Sequence, residues 1–256
     1  MSAAPHARWI RELQLSPGPR ARIVGLPHAG GSAGFFRNWR GHLRGELDLL
    51  AVQYPGREDR FGEPGAATIE ALADPVAEAL RHYTDRPLVL FGHSLGAVLA
   101  YEVAVRLERA GRPPLRVFVS GHPAPHQQRR TDLHRQSDQA LLADITRLSP
   151  DSRALFEDAE LRAVYLPMIR RDYQAIETYR CPRPTLLDTP LDIVLPLDDT
   201  EVDRHEALAW QQVTRGASRW AAFEGGHFYL KQQYPALVAW LTRQIDLTLS
   251  APKELP

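Results

Sequence analysis

Pro87-Leu88-Val89-Leu90-Phe91-Gly92-His93-Ser94-Leu95-Gly96, continued by Ala97-Val98-Leu99-Ala100-Tyr101-Glu102-Val103-Ala104, is the stretch on which the reading of this chain turns. Its first five residues form a short apolar run of buried-strand type. Its last eight are apolar and alanine-rich, a composition that favours helix. Between them stands Gly-x-Ser-x-Gly. A strand passing into a helix through that pattern predicts a sharp turn with Ser94 at its apex. Side chains at 92 or 96 would collide with their neighbours, which is why glycine is required there. The turn would lift the serine hydroxyl above the sheet edge. It would also set the Leu95 N–H at a helix N-terminus, where it can stabilise an oxyanion. The plain alternative is a glycine-rich strand-to-helix turn that happens to hold a serine.

The chain on either side supports a single α/β domain. At 256 residues it can bury a large core, and its 44% hydrophobic and 24% charged residues are ordinary for a globule. The formal net charge is zero, which leaves no nucleic-acid footprint. A lone cysteine, Cys181, excludes an internal disulfide and fits a reducing compartment. No apolar run reaches membrane-spanning length and no signal-peptide core precedes Trp9, so a cytoplasmic, membrane-free protein is expected, acting as a monomer.

Strand signals recur at Trp9–Leu13 (an edge candidate), 20–26, 48–52, 87–91, 115–120, 190–195 and 219–223. Helical patterns fall at Phe35–Leu43, from a Thr68 N-cap past Pro75 to about Tyr83, after the elbow, near Arg204–Thr214 and from about Pro235 to Leu247. This alternation predicts a mainly parallel sheet with helices on both faces. The exception is the segment from about Pro123 to Pro184. It has no strand signal but has helical periodicity over Gln136–Leu148 and Asp158–Tyr179, with Leu161, Val164, Tyr165, Met168, Ile169, Tyr173 and Ile176 three or four apart. About sixty residues is too many for one crossover, so it reads as a helical lid over the site. Met168 and Tyr173 are the residues expected to approach a substrate chamber.

In an α/β-hydrolase the acid and the histidine follow the serine in chain order, each on a loop beyond a strand. His227, after Phe223-Glu224-Gly225-Gly226, occupies the histidine position. Asp198 and Asp199, just past a strand, compete for the acid. Pro27-His28-Ala29-Gly30-Gly31-Ser32, after an early strand, is a loop whose backbone must come close to something, and Ala29 is assigned the second oxyanion N–H. His122 and His126 are separated by prolines, with no carboxylate or cysteine beside them, so no metal site is expected.

Taken in order, Pro27-His28-Ala29-Gly30-Gly31, Tyr54-Pro55-Gly56-Arg57, Gly92-His93-Ser94-Leu95-Gly96-Ala97, Val119-Ser120-Gly121 with Ala124-Pro125-His126, Leu166-Pro167 through Tyr179, and Gly225-Gly226-His227-Phe228 form one set. The set resembles the type II thioesterases that accompany polyketide synthases and nonribosomal peptide synthetases, over nearly the whole chain. The resemblance implies an α/β-hydrolase that strips stalled or incorrect acyl groups from the phosphopantetheine arms of acyl carrier or peptidyl carrier domains, with no metal or redox cofactor of its own. It also implies a Ser94–Asp199–His227 triad, because Asp199-Thr200-Glu201-Val202 matches the family's Asp-x-x-Val ending. The glycines that precede that ending in the family are replaced here by Leu195-Pro196-Leu197. Two rival classes stand beside this reading: a carboxylesterase or acyltransferase with the same triad, and a non-catalytic interaction protein. Arg57, Arg60, Arg129, Arg130 and Arg135 are expected to form a basic face on which an acidic carrier helix docks.

Overall fold

A computed structural model describes residues 5–43 and 46–250. Seven strands form one sheet: β1 (Ile10–Gln14), β2 (Ala21–Leu26), β3 (Leu47–Val52), β4 (Leu88–His93), β5 (Arg116–Ser120), β6 (Leu191–Pro196) and β7 (Trp220–Phe223). Their order is β1-β3-β2-β4-β5-β6-β7, with β1 antiparallel to β3 and every other neighbouring pair parallel. The elbow strand β4 is central, where a fully apolar run is most stable.

Alternation along the strands divides the core in two. Leu88 and Leu90 of β4 face the layer built with α1 (Ile69–Leu80) and α2 (Leu95–Arg109). Val89 and Phe91 face α7 (Leu230–Leu249) and a 3-10 helix at Ala33–Trp39. Strands β2, β3 and β5 alternate in the same way, so one sheet carries two dry faces. Thr68 caps α1 as expected, its hydroxyl accepting from Ala71 N–H at 3.1 Å.

Three expected helices differ in kind or extent, one of them the helix expected near Arg204–Thr214, which is α-helical over Arg204–Leu208 and 3-10 over Ala209–Val213. The pattern assigned to Phe35–Leu43 is the 3-10 stretch Ala33–Trp39, which packs Phe36 and Trp39 on Phe91 and ends where Arg40 turns extended and Gly41 takes φ 76°. The last helix starts at Leu230 rather than Pro235. Tight bonds from Lys231 N–H to Phe228 O and from Gln232 N–H to Tyr229 O nucleate it ahead of the proline, which lies inside it.

Between β5 and β6 the chain forms α3 (Asp138–Leu148), α4 (Arg153–Glu157) and α5 (Ala159–Thr178). The short α4 had no clear periodic signal. On α5 the apolar stripe is only partly used: Leu166, Met168 and Ile169 are buried, whereas Leu161, Val164 and Tyr165 remain well exposed. A sixth helix, α6 (Arg204–Leu208), opens with an Asp203–Glu206 capping box. Among the described residues no helix is long and apolar enough to cross a membrane.

Candidate active site

The elbow follows from local sterics. A Cβ on Gly92 would lie 1.9 Å from Gly96 O, and one on Gly96 would lie 2.0 Å from Leu26 O. The turn can close only because both residues are glycine. Ser94 itself has φ 57°, ψ −123°, a left-handed conformation that a non-glycine residue holds only when its surroundings impose it. Its N–H donates to Ser120 O at 2.8 Å, so β5 holds the apex in place. Leu95 opens α2, and its N–H is among the helix N-terminal groups without an intrahelical acceptor.

Two later loops meet beside Ser94. Asp198 N–H donates to Gly225 O at 3.0 Å, and Gly225 N–H donates back to an Asp198 carboxylate oxygen at 3.2 Å. This cross-link aligns Asp199 with His227, whose Nδ1 lies 2.9 Å and 3.2 Å from the two carboxylate oxygens of Asp199. Asp199 Oδ1 also accepts from Glu201 N–H at 2.9 Å, and buried Val202 anchors the end of the turn. Beyond β6, Leu195-Pro196-Leu197 carries the chain into this turn without glycine. Pro196 still pairs with Phe223, while Leu197 turns outward. With Nδ1–H donated to Asp199, His227 keeps its Nε2 lone pair for a proton.

Three other imidazoles surround His227. Burial, with His227 close by, pushes His28 down to about 3 and holds His93 well below the ordinary imidazole value. Burial also pushes His122 down to about 4, against the pull of its Nδ1–H bond to Pro123 O at 2.9 Å. His93 packs under the elbow, its Nδ1 3.1 Å from Ser120 Oγ, which is in turn 3.0 Å from the Tyr229 hydroxyl. These three rings are therefore neutral at pH 7. Gly121 (φ 63°) lets this cluster close: a Cβ there would stand 2.6 Å from His93 and 3.4 Å from His227.

Ser94, His227 and Ala29 border one cavity of about 300 Å³, whose far walls include Gln128, Arg129, Arg147, Glu177 and Glu201. An adjoining hollow of about 340 Å³ is apolar, with Ile145, Leu155, Phe156, Tyr165 and Ile169 in its wall. The two share His28, Ala29, Leu148, Tyr173 and Phe228. Most walls of both hollows come from the segment between β5 and β6. Tyr173 stands at their junction, its hydroxyl donating to Asp144 at 2.9 Å. Met168 lies elsewhere. It packs with Phe156 and Ile169 in a satellite cluster and reaches toward Gly56, outside the walls of either hollow.

The expected basic face loses two of its five arginines. Arg57 and Arg60 are buried, Arg57 on Asp172 and Arg60 on Glu63, Gln53 O and the Trp9 ring. Arg129 is exposed but clamps Glu206 with two nitrogens. Arg130 and Arg135 remain on the surface. Arg57 and Arg129 find carboxylates 115 and 77 residues away, which charge counting along the chain cannot foresee, whereas the partner of Arg60 is its near neighbour Glu63. Asp172 was missed as well, although a carboxylate three residues after Ile169 on the buried stripe of α5 is itself a signal.

A mainly parallel sheet with a serine at such an elbow, and an Asp–His pair on two later loops, defines an α/β-hydrolase. The thioesterase domain profile matches residues 21–245. The chain belongs to the thioesterase family, and it is a thioester hydrolase. Thioesterase PikA5 of Streptomyces venezuelae is 37% identical over 246 residues, covering 95% of this chain and 88% of that protein. The probable cadicidin biosynthesis thioesterase of Streptomyces griseus is 37% identical over 246 residues, 96% of this chain and 68% of that protein. Among solved structures, the type II thioesterase BorB from the borrelidin biosynthetic cluster superimposes with a TM-score of 0.86 at 39% identity, over 93% of this chain and 98% of that one. YbtT, a type II thioesterase of the yersiniabactin NRPS/PKS pathway, gives 0.86 at 30% identity over 94% and 100%.

Proposed function

We propose that this chain removes acyl groups, as carboxylic acids, from the phosphopantetheine thiol of acyl carrier or peptidyl carrier domains in a polyketide or nonribosomal peptide assembly line. The observation that carries this reading is the position of Ser94, which borders the same cavity as an Asp-paired histidine, with an apolar hollow adjoining that cavity at Ala29 and Tyr173. The amide-bearing arm suits the polar hollow with Gln128 and Arg147, and the acyl chain suits the apolar one. The segment 123–184 acts as a lid that supplies both walls.

In this reading His227 Nε2 takes the Ser94 Oγ proton as Oγ attacks the thioester carbonyl carbon. The resulting oxyanion is held by the N–H groups of Leu95 and Ala29. Asp199 stabilises the imidazolium without accepting its proton. As the C–S bond breaks, His227 protonates the leaving thiolate. Water then attacks the acyl-serine, giving its proton to Nε2, and Ser94 departs with that proton restored. The neutrality of His28, His93 and His122 leaves His227 as the one imidazole of the cluster that carries charge during turnover.

Intact-mass measurement of acylated carrier proteins tests the proposal. The acyl mass should disappear with wild-type enzyme and persist with Ser94→Ala, which should lose about 10⁴-fold or more in turnover while keeping its fold. A fluorophosphonate should label Ser94. Labelling elsewhere, or a matched oxygen ester hydrolysed as fast as the thioester, would overturn the assignment.

A further inference from the structure

The oxyanion loop is gripped from outside by a single buried ion pair. Asp172 on α5 and Arg57 on the loop after β3 are 1% and 3% exposed and meet as a two-bond fork, each N···O distance 2.8 Å. The same pair takes hold of the backbone at two points. Asp172 Oδ2 accepts from Gly30 N–H at 2.7 Å, and Arg57 donates to Gly31 O at 2.8 Å. Gly30 has φ 79°, and a Cβ there would press on Ile169 at 3.0 Å, so glycine lets α5 come close enough for Asp172 to reach the loop. Farther along, Tyr54 OH donates to Pro27 O and Ala33 N–H to the Gln53 side-chain carbonyl, both at 2.8 Å.

The peptide that matters joins His28 to Ala29. Its carbonyl accepts from Gly31 N–H at 2.9 Å across the turn. In a trans peptide the N–H points opposite the carbonyl, so the Ala29 N–H is directed away from that turn. Among the described residues the Ala29 N–H has no acceptor, and Ala29 borders the cavity with Ser94. The 28–31 turn keeps this orientation only while Gly30 N–H and Gly31 O stay where Asp172 and Arg57 hold them. A buried ion pair adds little stability over well-packed apolar residues of similar size. Its effect that such residues could not reproduce is the placement of those two backbone groups.

We propose that Arg57 and Asp172 are positioning residues for the oxyanion donor Ala29, and that they tie the C-terminal half of α5 to the catalytic loop. The proposal rests on the assignment of Ala29 as an oxyanion donor. It adds that the donor's direction is set from the inserted helix. Opening of the hollows must then come from α3, α4 and the first turns of α5, because movement at Asp172 would strand a buried guanidinium.

The test is Asp172→Asn, together with the double variant Arg57→Met, Asp172→Leu, which removes both charges at once. Thermal melting reports folding. Turnover, KM and the affinity for an acyl trifluoromethyl ketone, which adds Ser94 and forms an oxyanion, report positioning. The free carboxylic acid product is the control ligand. We expect kcat to fall about 10- to 100-fold in both variants, KM to stay within about threefold, ketone affinity to fall by the same factor as kcat, and product affinity to hold. Arg57→Lys, which keeps the charge but not the fork, should recover part of the loss. In the wild type, the Gly30 amide should be strongly protected from hydrogen exchange. Wild-type kcat and ketone affinity in either variant, equal losses for ketone and product, or a Gly30 amide that exchanges like an open one would each overturn the clamp. If the wild type itself binds the ketone no better than the product, the fault lies with the Ser94 and Ala29 assignments instead.

Discussion

The elbow and the inserted helices are built on opposite plans. From Leu88 to Tyr101 all residues but Ser94 are buried, and the backbone approaches itself so closely that two glycines are obligatory. In the segment between β5 and β6, few apolar side chains are fully buried, and α5 buries two acids, Asp172 and Glu177, among its six buried residues. Glu177 accepts from the N–H groups of Leu133 and His134 at 2.9 and 2.8 Å, Arg170 donates to three carbonyls around the same turn, and Arg147 bridges α3 to Glu201. The elbow is specified by steric exclusion over short sequence distance. The insertion is hung on a few long-range polar ties, with an apolar hollow left beneath it. Such a segment can vary its walls while the site under it keeps its geometry.

The sharpest break in that contrast is Gly92→Ala. Its methyl group has nowhere to go, so we expect a loss on the order of 4 kcal/mol or more and little soluble protein. Measurable melting near the wild-type temperature would show that the elbow is not sterically closed. The next largest effect separates two adjacent aspartates. Asp199→Asn should lower kcat by roughly 10⁴-fold, because the imidazole then takes the wrong tautomer. Asp198→Asn, which touches Gly225 rather than His227, should cost far less. A reversed order in steady-state kinetics would place the acid one residue earlier.

A third substitution asks whether the insertion tunes rather than builds. Leu155, partly exposed and in the wall of the apolar hollow, can become tryptophan without crowding the core. Leu155→Trp should cut kcat/KM for long acyl chains about tenfold or more and leave short chains within about twofold. A uniform loss across chain lengths would detach that hollow from substrate. Met168, on α5 and outside the wall of that hollow, should not shift the profile when replaced by leucine.

Acid should act on the site side of the contrast first. His28 and His122, held down to about 3 and about 4 when folded, bind protons more readily in the unfolded chain. Their contribution to stability is therefore complete above about pH 6.5 and is lost as pH falls toward those values. The Glu63 carboxylate, lowered to about 2 by Arg60, weakens only below its ordinary value of 4.5, so the window between 6.5 and 4.5 reports the histidines. Urea midpoints should fall across that window, and His28→Gln should flatten the slope. An unchanged slope would mean that His28 is not kept neutral by the fold. The smallest effects are expected outside the insertion's ties. Leu161→Ser, on the exposed stripe, should change stability by no more than about 0.5 kcal/mol. Arg130→Glu should lower kcat/KM for a carrier-bound substrate only a few-fold, in a way that salt erases. A large loss from Arg130→Glu would restore the basic docking face that burial of Arg57 and Arg60 reduces.

Much of this molecule was legible along the chain, because its determinants are local. The glycines at 92 and 96, the alternation that loads both faces of β4, the Thr68 cap and the order of strand-end loops are all set by neighbours a few residues away. The choice between Asp198 and Asp199 was not local. It depends on a cross-link to Gly225, and the resemblance to a family, rather than residue chemistry, pointed to Asp199. The arginines and the lid residues were less legible still. Sequence counts a guanidinium as surface charge, but only the tertiary structure brings Asp172 to Arg57 and Glu206 to Arg129, and only it buries Arg60 against the Trp9 ring. Helical periodicity likewise marked Met168 and Tyr173 as one stripe, and packing alone put Tyr173 in the cavity wall and Met168 beneath it. Local sterics and periodicity act over one or two turns of chain and can be read there. Partners separated by 115 residues, as Arg57 and Asp172 are, exist only once the fold has closed.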